Sequence, residues 1–342
     1  MFEENSFIGI TMGDPAGIGP EIAAKSAEYF IKAGTPIKPV IFGSFKHIDH
    51  VLKNIIKRDA PVNLIRQDSS LEYSYKNTHI NVIDLSSKSY QSLKYGEINP
   101  EYAKDAESFI SAAVDFSLSG RIAGFATAPI NKEMMIRGGA KFGGHTELLG
   151  HLTSSKDYVM LFYSKKIIIV IATIHIPLSM VSKSITKEYL KNIIKISILS
   201  MTNDFGIKEP KVAVLGLNPH AGENGEIGTE EIDIISPVIA GFRNKGFFVE
   251  GPFPSDSFFA VKYKDYDLIV SMYHDQALIP FKLLSFDEGV NVTIGLKIIR
   301  TSPVHGTAYD IAGKNVADYG SMKESIKMAY EISKNRLKWK EK

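Results

Sequence analysis

The sequence predicts an α/β protein of two lobes on largely parallel sheets, and three observations carry that prediction. Short β-branched runs alternate with longer segments of helical period, the pattern of parallel strands joined by crossover helices. The chain's 342 residues exceed one ordinary core, so two α/β lobes, or one lobe with a large insertion, fit the length. Hydrophobic residues make up 44% and charged residues 23%, the balance of a globular enzyme rather than a disordered chain.

Taken in order, the buried-strand runs are Phe7–Thr11, Val40–Gly43, Ile80–Leu85, Ile122–Thr127, Ile167–Ile174, Val212–Leu217 and Leu268–Met272. Helical periodicity marks Pro100–Ser119, Thr186–Asn203 and Thr229–Lys245 between them. For the last of these, Thr229 is the expected N-cap, Glu230 and Glu231 sit in the positive first turn, and Gly246 stops the helix. Further strand-like pieces are Val290–Leu296 and Lys297–Thr301, and a C-terminal helix is expected from about Ser321 to the basic tail Lys338–Lys342. There is no repeat, low-complexity tract or linker, so the lobes share strands or exchange the chain more than once.

Forty Lys and Arg against 38 Asp and Glu leave a charge of +2, which gives no reason to invoke nucleic acid or an anionic membrane. The absence of cysteine excludes disulfides, thiolate metal sites and cysteine nucleophiles. Any metal therefore takes His, Asp or Glu. The acidic start Met1–Asn5 lacks the basic and apolar regions of a signal peptide. The longest apolar stretch, Ile167–Ile176, is broken by Thr173 and His175 and falls short of the roughly 20 residues that span a bilayer. A cytoplasmic location is expected.

The functional signal lies in the residues just after each strand. Ile167–Ile174 leads into His175-Ile176-Pro177, Val212–Leu217 into Asn218-Pro219-His220-Ala221-Gly222-Glu223, and Leu268–Met272 into Tyr273-His274-Asp275-Gln276. Ligands of open α/β sheets bind beyond the carboxyl ends of the strands. A lone histidine there is usually a hydrogen-bonded turn residue; three of the nine at separate strand ends leave two readings open, separate turn residues or the ligands of a catalytic Zn²⁺ or similar ion with Asp275 and Glu223 available to orient imidazoles. Gly143-Gly144-His145-Thr146-Glu147 opens a helix whose free N–H groups suit a phosphate or carboxylate, or simply form a capped turn. The glycines of Met12–Glu21 sit at 13, 17 and 19 and do not match the dinucleotide fingerprint, which leaves a tight turn or a bare loop that a nucleotide approaches closely. Lys282, Asn291 and Arg300 precede the Gly-containing loop Ser302–Lys314, whose small residues suit a flat polar ligand.

Together, Gly9–Glu21, Gly144–Glu147, Leu217–Glu223, Met272–Gln276, Arg300–Ser302 and His305–Ala308 closely resemble the 4-hydroxythreonine-4-phosphate dehydrogenase family of pyridoxal phosphate biosynthesis, from Gly9 to about Val316. The last segment also resembles the cofactor loop of the isocitrate and isopropylmalate dehydrogenase superfamily. The resemblance implies two α/β/α lobes with the active site in the cleft between them. Residues 1–130 plus 285–342 would form the cofactor-side lobe and 131–284 the metal-binding and dimerisation lobe. It implies His175, His220 and His274 as ligands of a divalent metal (Zn, Mg or Co), in a homodimer whose site takes residues from both subunits. His145, Thr146, Lys282, Asn291 and Arg300 fall on substrate positions, and Asp256, Asp275 and Lys282 on catalytic ones. Gly13, Asp14, His305, Gly306, Thr307, Ala308 and Asp310 fall on the NAD or NADP side. The segment from about Ala33 to Tyr95 shows little of the family's signature.

The implied reaction is metal-dependent oxidation of 4-phosphohydroxy-L-threonine to 2-amino-3-oxo-4-phosphooxybutanoate, which decarboxylates to 3-amino-2-oxopropyl phosphate in pyridoxine 5'-phosphate biosynthesis. Asp256, Asp275 or Lys282 would take the hydroxyl proton, with the choice open at this point. Rival readings are a 4-phospho-threonate or 4-phospho-erythronate dehydrogenase, a metal-dependent phosphohydrolase, and a non-catalytic phosphometabolite-binding protein.

Overall fold

The computed structural model describes Ser6 to Lys340; the expectations for Met1–Asn5 and for Glu341–Lys342 of the basic tail lie outside the described residues. The chain divides into two compact units. One runs to Lys156 and resumes at Leu296–Lys334; the other is Asp157–Gly295, resumed from Asn335. Both divisions fall later than the expected 130 and 284, for packing reasons. Tyr102 and Ala106 of one helical segment bury against Met134 and Met135 of the next, keeping the helix Lys132–Arg137 in the first unit. The strand at Val290–Ile294 pairs with one at Val159–Tyr163, keeping it in the second.

The strands of the first unit are β1 (Phe7–Thr11), β2 (Lys38–Gly43), β3 (Val62–Ile65), β4 (Ile80–Asp84) and β5 (Gly124–Thr127), with β12 (Arg300–Pro303) late in the chain. Their order is β3-β4-β2-β1-β5-β12, and every pairing is parallel. Ile8, Ile10, Ile41, Phe42 and Val82 are fully buried. Strands covered on both faces read as continuous apolar runs, and each such side chain contributes about 1.5–3 kcal/mol on leaving water. The helices Gly19–Lys32 and Ala103–Leu118 pack on this sheet.

The second unit holds β6 (Val159–Tyr163), β7 (Ile168–Thr173), β8 (Val212–Leu215), β9 (Val249–Phe253), β10 (Leu268–Tyr273) and β11 (Val290–Ile294). Their order is β11-β6-β7-β10-β8-β9. Here β6 runs antiparallel to both neighbours, and the β7, β10, β8 and β9 pairings are parallel. The helix Lys187–Asn203 starts where expected, with the Thr186 hydroxyl accepting from the Tyr189 N–H at 3.2 Å.

Two expectations need correction. Thr229 does not cap its helix: a wide turn starts at Glu231 with Glu230 at the cap position and no side-chain cap bond, followed by the helix Ser236–Arg243. Both carboxylates are bonded instead to Asn218, so a tertiary contact overrides the local cap. The strand expected to reach Leu217 ends at Leu215, because the N–H groups of Leu217 and Asn218 go to Glu231 rather than to a ladder.

Candidate active site

In the second unit β7, β10 and β8 lie side by side and parallel, so the chain leaves all of them at one edge of the sheet. His175, His274 and His220 follow those ends. The His175 and His274 rings stand 5.8 Å apart between centroids. His274 Nδ1 is 2.7 Å from the Asp275 carboxylate, a contact that orients the ring and would leave Nε2 as the nitrogen available to a ligand. His220 is exposed and outside that pair, and among the described residues no three His, Asp or Glu side chains gather closely enough to hold a metal ion.

His220 opens an unusual turn. His220, Ala221, Gly222, Glu223 and Asn224 all have positive φ, from 45° to 82°. Left-handed backbone costs about 1–2 kcal/mol for each non-glycine residue, so the turn needs outside support. Glu231, buried at 3% exposure, supplies it. Its Oε1 accepts from the Leu217 and Asn218 N–H groups at 2.7 and 2.8 Å, and its Oε2 accepts from the Asn218 amide at 2.9 Å. Gln276 works from the other side: its amide donates to the Gly216 carbonyl at 2.7 Å and the Ser255 hydroxyl at 2.6 Å, and its oxygen accepts from the Met272 N–H. One buried side chain thus ties the ends of β8 and β10 to the residue beside exposed Asp256.

Asn291 is not at that edge. It pairs across the sheet with Phe162, which pairs with Ile169 near the start of β7. His175 lies beyond the other end of β7, roughly 15–20 Å away at about 3.3 Å per residue. The helix His274–Ser285 carries Lys282 away from His274 in the same sense, roughly 12 Å along its axis at about 1.5 Å per residue. Lys282 is exposed.

In the first unit Arg300 is buried at 3% exposure and donates through Nε and Nη2 to the Thr127 hydroxyl at 3.1 and 2.7 Å. Burial lowers it to about 9, so it stays protonated at neutral pH. His145 opens the helix His145–Leu152; its Nε2 is enclosed without a hydrogen-bond partner among the described residues. Desolvation first, then the charge of Arg300, push the imidazole well below 6.5. A buried cation beside a neutral imidazole with an unused ring nitrogen suits an anionic group. Thr146 follows on the same helical turn.

The other loops of this unit are stitched together. The Tyr309 hydroxyl donates to the Asp14 carboxylate, Ile18 N–H donates to the Thr307 carbonyl at 3.0 Å, and Gly313 N–H donates to Glu21 at 2.6 Å. Gly13 has φ +72°, and a Cβ there would lie 2.5 Å from the Pro129 carbonyl. Asp14 is fully buried, with its other oxygen taken by the Ala16 N–H. Gly13 and Asp14, expected on the cofactor side, therefore hold the loop and present no side chain outward. His305 keeps an enclosed Nε2 without a partner among the described residues, and Asp310 is exposed.

Residues 36–329 match the family described as pyridoxal phosphate biosynthetic protein PdxA. The chain belongs to that family. It is 40% identical over 332 residues to a 4-hydroxythreonine-4-phosphate dehydrogenase of Desulforapulum autotrophicum, covering 96% of each chain. It is 39% identical to a putative D-threonate 4-phosphate dehydrogenase of Oceanobacillus iheyensis, over 95% of this chain and 97% of that one. The crystal structure of 4-hydroxythreonine-4-phosphate dehydrogenase from Klebsiella pneumoniae superimposes with a TM-score of 0.85 at 40% identity, over 97% and 99% of the two chains. Within this PdxA-family chain, sequence reasoning passed over Gln276, Glu231, Tyr309 and Thr127 as site-building residues. Gln276 was visible inside the Met272–Gln276 motif, four residues after the last strand position. The others act across long sequence separations and left no local signal.

Proposed function

We propose that this chain is a nicotinamide- and divalent-metal-dependent dehydrogenase that oxidises 4-phosphohydroxy-L-threonine to 2-amino-3-oxo-4-phosphooxybutanoate, a β-keto acid that decarboxylates to 3-amino-2-oxopropyl phosphate. The observation that carries the reading is the His175–His274 pair at the ends of adjacent parallel strands, with the His220 turn at the end of the next. Paired imidazole nitrogens fit a borderline ion such as Zn²⁺ or Co²⁺ better than Mg²⁺, which prefers oxygen donors. When bound, the ion and the nicotinamide (NAD or NADP) supply Lewis-acid polarisation of the hydroxyl and a hydride acceptor. Arg300 and His145, with Thr146, Lys282 and Asn291, hold the anionic ends of the substrate. Asp275 is engaged in orienting His274, which leaves Asp256 and Lys282 as acceptors of the hydroxyl proton. The 305–310 loop receives the nicotinamide nucleotide.

The working form is a homodimer with shared sites. In its support, Lys282 and Asn291 stand far from the histidines of their own chain. Ile279, Leu283 and Phe286 form a stripe at 60%, 82% and 55% exposure along the helix that carries Lys282. A second copy covering that stripe would enclose Lys282 as well. No helix of the described residues is long and apolar enough to cross a membrane. The nicotinamide and phosphometabolite pools such an enzyme draws on are cytoplasmic.

A D-threonate 4-phosphate dehydrogenase is the second reading, because relatives of that name stand at 39% identity beside 40% for the first. The two substrates differ at C2, amino in one and hydroxyl in the other. Nicotinamide reduction measured with each, with and without chelator, decides between them. Phosphate release without nicotinamide would overturn both in favour of a hydrolase.

A further inference from the structure

We propose that Glu231 is the positioning residue for His220, setting the metal affinity of the site through the left-handed turn. The inference rests on the reading of His220 as a metal ligand. The geometry is specific. The carboxylate lies inside the turn rather than beside it: a Cβ at Gly222 would meet Glu231 Oε2 at 2.7 Å, and one at Gly216 would meet Oε1 at 3.1 Å. Its oxygens close on the two backbone N–H groups that precede Pro219 and on the Asn218 amide. Glu230 completes the hold, accepting from the Asn218 amide at 2.7 Å and from the Ser182 hydroxyl at 2.6 Å. The backbone is therefore clamped immediately before the consecutive positive-φ residues begin at His220. Histidine tolerates left-handed backbone better than most residues but alanine does not, and a run of such residues through Ala221 and Glu223 needs outside support, so the direction of the imidazole depends on this clamp. Supporting residues of this kind tune metal affinity without touching the ion.

The test compares Glu231→Gln, Asn218→Ala and His220→Ala with the parent chain, using Co²⁺ and Zn²⁺ as probes. Affinity is read by chelator competition, geometry by the visible spectrum of the Co²⁺ form, and folding by circular dichroism and melting of the metal-free proteins. Glu231→Gln keeps one acceptor oxygen but places an amide N–H against backbone donors. Its affinity is expected to fall roughly 10- to 100-fold with an altered Co²⁺ spectrum and a folded apo form. Asn218→Ala, which keeps the carboxylate and loses the amide clamp, serves if Glu231→Gln does not fold, and should show a smaller loss in the same direction. Affinity within twofold of the parent in the folded variants, while His220→Ala loses the metal, overturns the role of Glu231 alone. Unchanged affinity in His220→Ala overturns the metal reading of His220 and the inference with it.

Discussion

The Tyr309 hydroxyl donates to the buried carboxylate of Asp14, closing a link between residues 295 positions apart in the chain. It joins the loop after β1 to the loop after β12, and the Ile18–Thr307 and Glu21–Gly313 bonds run alongside. The 305–310 segment is thus held before any ligand arrives. Tyr309→Phe removes the bond and little volume. The nicotinamide Michaelis constant should rise about tenfold, in line with a lost hydrogen bond to a charged group, while the substrate constant stays within about twofold. Equal effects on both constants would show the link to be merely structural.

Subunit mixing tests the shared site. Lys282→Ala and His220→Ala chains should each be inactive alone. After unfolding and refolding together, randomly paired dimers should recover about a quarter of parental activity, since half are hybrids with one intact site. No recovery would place both residues in one chain's machinery.

Leu283→Glu puts a charge at the most exposed position of the apolar stripe, at 82% exposure. Sedimentation should find a monomer, with activity lost and the helical circular dichroism signal kept. A dimer of unchanged stability would locate the interface elsewhere.

Gln276→Leu strands the Gly216 carbonyl and the Met272 N–H. Each unsatisfied buried group costs about 1–3 kcal/mol, so denaturation in the presence of chelator should show a loss of about 2–4 kcal/mol. A loss below about 1 kcal/mol would mean that the strand ends hold themselves together.

His47 gives a pH signature. It is buried between Tyr90 and Tyr95 with a ring nitrogen 3.3 Å from the Pro15 carbonyl, and desolvation lowers it from 6.5 to about 4. Above pH 6.5 neither folded nor unfolded chain carries the proton. Between 6.5 and 4 only the unfolded chain does, so stability falls with falling pH by up to about 1.4 kcal/mol per unit. His145 adds a loss of the same sign. Urea titrations should therefore give a shallower pH slope for His47→Gln than for the parent, and identical slopes would exclude a buried neutral imidazole at 47.

Much of this was legible because parallel strands bury both faces. β1 emerged at its full extent from Phe7–Thr11, and the histidines after β7, β8 and β10 fell on one edge as the alternation implied. The helix after Thr186 was readable from its apolar periodicity, and Thr186 caps it locally. Thr229 was not, because Glu230 and Glu231 answer to Asn218 rather than to their own helix. β3 and β9 escaped notice as short edge strands, the second interrupted by Gly251 and Pro252. The reversed direction of β6 is set by its neighbours and has no signature in Val159–Tyr163. Two antiparallel pairings leave β11 running in the direction of β7, so Asn291, placed among the substrate positions by the family resemblance, stands at the far end of the sheet because it lies at the start of its strand.

The separation of Asn291 and Lys282 from the imidazole edge of the same chain has a cellular corollary. If, as proposed, a second copy completes each site, output would scale with the square of abundance when the chain is scarce, and a defective copy that still associates would poison a sound one. Gene dosage would then act on flux more steeply than protein level alone suggests.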